Sequence, residues 1–270
     1  QNQIFLMFIM KKTFHGAKDM TQDALFEKRL EELAARSYER GVYVFTEFLG
    51  LGEQSIFARI EPRLRYAGCT LWGGDEDCER LMLRFGDAES IGYEQPFPIV
   101  CIAAAPAAPK FADALSHRDI LGALMNLGIR RECLGDIVLQ DNTAYIFCTE
   151  GQKQTVQNEL VQARHTVLKC AEVAGLPAAR EKRVAPLTLQ VSSERADVLI
   201  AAAWNKSREE SLACFRAQRV FVNGRLTENN SAPLHGNDLV SVRGEGRFRY
   251  LGVQSVSRKG KYNVLIEKFI

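Results

Sequence analysis

Between Ser207 and Leu226 the chain carries a local pattern that leaves few folds open: a capped helix running straight into a two-residue hairpin. Ser207 can accept a hydrogen bond from the backbone N–H three residues on, and Glu210 can accept one in return from the backbone of Ser207. That is a capping box, and it starts a helix. Leu212, Cys214, Phe215 and Arg219 follow, with Leu212 and Phe215 expected to face a core and Arg208, Arg216 and Arg219 to lie on the flank. Val220, Phe221 and Val222 are β-branched or aromatic and predict a strand. Asn223-Gly224 tolerates positive φ at both central positions of a tight turn, and Arg225-Leu226-Thr227 reads as the return strand. Upstream, residues 195–200 predict a first short helix. Downstream, His235-Gly236-Asn237-Asp238 predicts a turn, residues 239–243 a strand, and Arg258-Lys259-Gly260-Lys261 the turn of a last hairpin. A small helix–helix–hairpin unit with a cationic rim is a shape that binds nucleic acid.

In order, these pieces resemble the RNA-binding domain named after small-subunit ribosomal protein S-four. The resemblance rests on Arg195 and Asp197 opening the first helix, Ser207-Arg208 opening the second, the hairpin from Val220 to Gly224, and the turn and strand from Gly236 to Gly244. One departure is Asn237, inserted between the Gly and Asp of the turn. The cationic rim supplies the RNA-binding candidates: Arg195, Lys206, Ser207, Arg208, Arg216, Arg219, Asn223, Gly224, Arg225, Arg243, Arg247 and Arg249. Each has a second reading. Arg195 and Asp197 form an ion pair at a helix start, Ser207 is a cap, Asn223 and Gly224 serve turn geometry, and a single arginine is an ordinary solvated residue.

Charge supports the cationic reading. Residues 180–270 hold 16 Lys/Arg and 9 Asp/Glu, whereas the rest of the chain holds 19 and 24, so the modest overall charge of +2 hides a basic C-terminal third. This asymmetry points to nucleic acid without separating RNA from DNA or from an acidic protein. The seven cysteines form no Cys-x-x-Cys pair, and their odd number argues against a disulfide framework, so a reducing cytoplasm is expected. The four histidines show no zinc-ligand spacing, and no metal or cofactor is expected. The apolar run 4–10 is too short to span a bilayer, and it lacks the flanks of a secretory signal. The first residue is Gln, so the native start is expected at Met10 or upstream.

Three units are expected in this α+β chain. The first, an α/β unit over 21–90, opens with a helix capped by Thr21 that carries Leu25, Phe26, Leu30 and Leu33 along one side. A second helix is predicted over 52–66, with strands at 69–72 and 81–85. The second unit, over 91–176, reads β-α-β-β-α-β, the ferredoxin-like order that many RNA-recognition modules use. Its parts are a strand at 98–104, a helix from Ser116 to Leu127 stopped by Gly128, a hairpin turning at Asp141-Asn142, a helix over 153–164 with Val156, Leu160 and Val161 inward, and a strand at 166–173. Its strands carry no aromatic-rich RNA-stacking string, so Tyr145 and Phe147 read as sheet or core residues. The third unit, the S-four-like one, covers 185–270, after a linker over 175–186 that contains Pro177, Arg180, Lys182, Arg183 and Pro186.

With the three units in place, nearly everything from Phe26 onward resembles the YlmH-like family of bacterial S-four proteins. That likeness rests on Phe48-Leu49, Trp72-Gly73-Gly74, Glu76-Asp77 and Glu79-Arg80. It continues through Ser116-His117-Arg118-Asp119-Ile120-Leu121-Gly122-Ala123-Leu124, Gly128-Ile129-Arg130-Arg131-Glu132 and Gly135-Asp136-Ile137. The resemblance implies a non-enzymatic factor that binds rRNA and tRNA on the large ribosomal subunit, in quality control or rescue of blocked subunits carrying peptidyl-tRNA. His117, Arg118, Arg130 and Arg131 are candidates for a second RNA contact. His117-Arg118-Asp119 imitates a kinase catalytic loop, but Leu124 stands where that loop needs Asn. Two other functions are consistent with the sequence. One is an rRNA-modifying enzyme (pseudouridine synthase or methyltransferase type), although Asp113, Asp119 and Asp136 lack catalytic surroundings. The other is a cell-division scaffold that binds a protein through acidic N-terminal residues such as Asp75, Glu76, Asp77 and Glu79.

Overall fold

The computed structural model describes residues 22–177 and 184–269. The run 4–10, the Thr21 cap and the linker residues Arg180, Lys182 and Arg183 lie outside the described residues. Three sheets organise the rest of the chain.

The N-terminal unit opens with α1 (Gln22–Arg40), which buries Leu30, Ala34 and Ser37. Phe26 and Leu33 pack on the same core, but Leu25 lies off that stripe and is 55% exposed, contrary to expectation. A strand that the sequence reading did not anticipate, β1 (Val44–Leu49), leads into α2 (Leu51–Leu64). Strands β2 (Cys69–Trp72) and β3 (Leu81–Phe85) complete an antiparallel sheet ordered β1-β3-β2.

The middle unit comprises β4 (Ile99–Pro106), α3 (His117–Asn126), β5 (Leu134–Gln140), β6 (Thr143–Thr149), α4 (Lys153–Glu159), β7 (Gln162–Ala163) and β8 (Thr166–Val173). All pairs are antiparallel and the order is β5-β6-β4-β8-β7, the ferredoxin-like arrangement with one short added strand. Ser116 caps α3 in a reciprocal box with Asp119. The β5–β6 turn places Asp141 and Asn142 both at positive φ, as the hairpin needs. The expected helix over 153–164 ends at Glu159, because residues 162–163 are drawn into a pairing with β8; Val161 is therefore exposed rather than inward.

Strand alternation gives this sheet two covered faces. Ile102, Ala104, Ile146 and Cys148 lie with Ile120, Leu124 and Val156 of the helices. Cys101 and Phe147, with Ile99, Tyr145 and Val173, lie instead against Phe45, Phe48 and Met82 of the N-terminal sheet. The two units are thus joined sheet to sheet by an apolar seam.

The C-terminal unit holds β9 (Val184–Val191), α5 (Ala196–Ala203), α6 (Arg208–Arg216), β10 (Val220–Val222), β11 (Arg225–Leu226), β12 (Leu239–Val242), β13 (Gly246–Val256) and β14 (Tyr262–Phe269). The sheet order is β11-β10-β12-β13-β14-β9. Pro186, expected in a linker, lies inside β9 opposite Glu267. A proline is tolerated there because β9 is an edge strand and one side of it needs no donor. Ser207 and Glu210 form the predicted capping box. Helix α6 stops at Arg216, and Gln218 is at positive φ (52°), so Arg219 leaves the helix axis instead of extending its flank. Leu212 is only partly buried; Ser211, Cys214 and Phe215 fill the inner side.

Candidate nucleic-acid interface

Residues 73–80 tie the three units together. Asp136 on β5 accepts hydrogen bonds from the backbone N–H of Glu79 (2.7 Å) and of Arg80 (3.0 Å). The Arg80 guanidinium donates to the carbonyls of Leu134 (2.8 Å), Phe48 (2.9 Å) and Arg131 (3.3 Å). Gln54 on α2 donates to the Glu79 and Leu49 carbonyls. From the C-terminal unit, Arg247 donates to the Asp77 carbonyl at 2.5 Å, with its guanidinium stacked 4.5 Å above the Phe269 ring. Of the acidic run weighed as a protein-binding surface, Asp77 and Glu79 enter this junction through their backbone groups, and Glu76 is the exposed member of 75–79.

Burial pushes the Glu79 carboxyl up, and Asp136 adds to the rise against the pull of Arg247, Arg243 and Arg80. A carboxyl with a raised folded-state pKa contributes stability that is fully present below its unfolded value and is lost as pH rises through the folded value. Glu79→Gln should therefore flatten the fall in stability above pH 4.5, the ordinary value of the group. Stability at neutral pH should be unchanged or higher; denaturant titration across pH reads this directly, and a marked loss at neutral pH would contradict it.

The predicted cations divide into committed and available ones. The carboxylate of Asp197 is fully buried and accepts from Arg195 at 3.0 and 2.8 Å, so these two form an ion pair at the start of α5. Lys206 and Arg219 both reach Glu245, at 3.1 and 3.3 Å. Arg219 also donates to the Arg243 carbonyl at 2.7 Å, and Arg243 stacks 4.8 Å above the Phe221 ring. Arg216 pairs with Glu209, and Arg249 lies 3.9 Å from Glu267. Asn223 bridges Asp238 and the Leu239 N–H, and Gly224 (φ 74°) lies beside Gln54. Arg208 is 72% exposed, 4.0 Å from Asp197, and Arg225 is exposed as well.

The hairpin that carries the candidates Asn223, Gly224 and Arg225 is docked on the N-terminal unit: the Leu226 N–H donates to Ser55 Oγ on α2 at 2.8 Å. Beside that contact opens a cleft of about 1230 Å³, lined among others by Arg29, Arg59, Arg225 and Arg243 with Phe26 and Ile56. Arg29 and Arg59 were not anticipated, because nothing in a helix pattern marks which solvated arginines will face a neighbouring unit.

In the middle unit, Arg131 turns inward to the carbonyls of Leu134 (2.9 Å) and Gly135 (3.3 Å). Arg130 holds Glu132 at 2.9 Å and Glu47 at 3.5 Å. His117 and Arg118 stay exposed at the start of α3. Desolvation lowers the His117 pKa, and Arg131 lowers it further. The sheet face on which RNA-recognition modules stack bases is closed here, with Phe147 only 1% exposed beneath Phe48 and Met82. Any RNA contact by this unit must use its helices, loops or edges.

All seven cysteines are free. Burial holds Cys101 and Cys148 at about 12, far from thiolate reactivity. Among the described residues no cluster of three metal-ligating side chains occurs, and no helix is long and apolar enough to cross a membrane.

Comparison with known proteins shows what the chain is similar to. Residues 97–174 match the family model described as "Putative RNA-binding domain in YlmH". The chain is 26% identical over 235 residues to the ribosome-associated protein quality control protein P2 of Bacillus subtilis (strain 168), covering 83% of this chain and 86% of that protein. The solved cell division protein ylmH from Streptococcus pneumoniae superposes with a TM-score of 0.43 at 20% identity, covering 57% of this chain and 92% of that chain.

Proposed function

We propose that the chain is a ribosome-associated RNA-binding factor, working in the cytoplasm, that docks on structured rRNA and tRNA of the large subunit during quality control of blocked, peptidyl-tRNA-bearing subunits. The observation that carries this reading is the likeness to the Bacillus subtilis quality control protein, which extends over 83% of the chain and so reaches into each of the three units. The RNA-binding family model over residues 97–174 supports it independently. In this reading the C-terminal unit is an S-four domain. The order of two helices, a capping box at Ser207 and the Asn223-Gly224 hairpin supports that assignment.

The reading is of a binder rather than a catalyst. Asp136, weighed as a nucleophile, is held by two backbone N–H groups, and Asp119 is spent on the cap of α3. Among the arginines singled out in the sequence, those left exposed to meet phosphate include Arg208, Arg225 and Arg243 in the C-terminal unit and Arg118 in the middle one.

Sedimentation with purified large subunits over a salt series tests this reading. Comigration that weakens as salt rises is the expected result, because phosphate contacts release counterions. Arg208→Glu with Arg225→Glu should weaken binding by about 100-fold at unchanged fold, because each reversal replaces an attraction to phosphate by a repulsion. Failure of the folded wild-type chain to comigrate at low salt would remove the ribosome assignment. A new modified base appearing only in rRNA treated with the protein would return the enzyme reading.

A further inference from the structure

We infer a second RNA contact at the distal turn of the β13–β14 hairpin, separate from the cations around the helix pair and suited to the phosphate–ribose backbone of a folded RNA. It rests on the RNA-binding reading above and adds to it a surface that no comparison assigns.

The hairpin stands out from the sheet. Strand β12 pairs with β13 only as far as Leu239 opposite Arg249, and the next backbone bond, from Tyr250 N–H, goes to the Asp238 carbonyl. Residues 253–256 are all exposed, so this stretch is wet on both faces. Strand β14 remains flanked by β9 through Tyr262 opposite Val191, and buried Val264 and Ile266 root it in the core. The result is a projection on a firm base.

Its turn is held by its own bonds. The Ser257 N–H donates to the Lys261 carbonyl (2.7 Å), the Gly260 N–H to the Ser257 carbonyl (2.9 Å), and the Lys261 N–H to Ser257 Oγ (3.0 Å). Gly260 at φ 74° permits this closure. The turn presents Arg258, Lys259 and Lys261, all exposed and none in an ion pair among the described residues. That separates them from Arg195, Lys206, Arg216 and Arg219, each already matched to a carboxylate. Three cations in one rigid turn repel one another, and a polyanion relieves that repulsion.

The face leading to the turn favours RNA over a protein strand. Gln190, Asn263 and Ser255 lie in register across β9, β14 and β13. Gln190 Nε2 donates to Asn263 Oδ1 (3.3 Å) and Asn263 Nδ2 to Ser255 Oγ (2.9 Å), a ladder of amides and a hydroxyl. Such groups meet phosphate and 2′-hydroxyl oxygens, whereas an apolar ladder would meet protein. Val256 and Tyr262 belong to the opposite face.

The test uses the full chain carrying R258E/K259E/K261E, with a milder Gln triple variant at the same positions as a check on folding and Asn263→Ala as a probe of the ladder. Binding to large ribosomal subunits and to a generic RNA hairpin is titrated across a salt series. The Glu triple variant should lose about tenfold or more in affinity, and the slope of log K against log salt should fall by about two, as expected when two to three phosphate contacts vanish. Asn263→Ala should weaken binding without changing the slope. Unchanged affinity and slope in the folded triple variants, while Arg208→Glu with Arg225→Glu still weakens binding, would overturn the finger and leave the RNA reading standing. No loss in either set would overturn both.

Discussion

Asp136→Ala should lower the stability of the whole chain by about 3 kcal/mol or more, one of the two largest single-residue effects expected here. The carboxylate accepts from two backbone N–H groups of the segment that ties the units together. Truncation leaves both donors half-buried without a partner, at roughly 1–3 kcal/mol each. It also removes an acid from beside Arg80 and Arg131, whose pKa values burial already lowers and Asp136 holds up. The cost of an unmatched, partly buried cation is added to the lost bonds. Asp136→Asn keeps one acceptor oxygen and should fall between wild type and alanine. Denaturant titration monitored by tryptophan emission suits the measurement, because Trp72 lies just before the segment and Trp204 lies in the C-terminal unit. A shift under about 0.5 kcal/mol, the range of ordinary surface changes, would mean that the junction is held by the apolar seam alone.

Gly74→Ala should be at least as damaging, for steric rather than electrostatic reasons. Gly74 has φ 102°, a conformation that side chains rarely adopt, and an added β-carbon would lie 2.4 Å from the Phe147 ring and 3.3 Å from Ile99. Phe147 is fully enclosed by Phe48, Met82 and Cys101 and has nowhere to move. Overpacking costs about 1–3 kcal/mol and the forced φ adds to it, so about 3–4 kcal/mol is expected, with loss of cooperative unfolding between the first two units. Gly122→Ala is the matched control. It sits in α3 with nothing within 4 Å of the added atom, and should stabilise by about 0.5–1 kcal/mol. If both substitutions behaved alike, close approach at Gly74 would not be the cause.

Local signals in the chain were legible where one short stretch decides the outcome. The capping boxes at Ser116 and Ser207, the turns at Asp141-Asn142 and Asn223-Gly224, and the ferredoxin-like strand order follow from residue chemistry at fixed spacing. Three features depended on distant partners and were misread. Strand β1 buries Thr46 beside Phe48 and Leu49, breaking the alternation that marks a strand. Helix α4 is cut short because β8 competes for residues 162–163. Residues 184–186 looked like linker because Pro186 usually is, yet an edge strand accepts it.

The same division holds for the candidate site. Arginines can be counted in a sequence, but whether one meets solvent or a neighbouring carbonyl is decided by tertiary structure. Arg131, Arg219 and Arg247 turn to internal carbonyls, Arg243 stacks on Phe221 while remaining exposed, and Arg258, Lys259 and Lys261 stay exposed and free of ion pairs among the described residues. The Gly73-Gly74 pair ahead of the acidic run was the available hint that other groups would pack close against the backbone there. Trp72-Gly73-Gly74 was read for its resemblance to a family and not for its packing.

The junction also sets a timetable for synthesis. Its central stretch, residues 73–80, is translated early, but its partner Asp136 lies 57 residues beyond Glu79 and its partner Arg247 lies 170 residues beyond Asp77. A nascent chain emerging N-terminus first therefore holds a half-finished joint, with Arg80 and Phe48 exposed, until the middle sheet arrives to cover them. The C-terminal unit, with its cations, is seated last of all. The RNA-binding surface proposed for the chain is thus composed only once the third unit has emerged and docked on the first two.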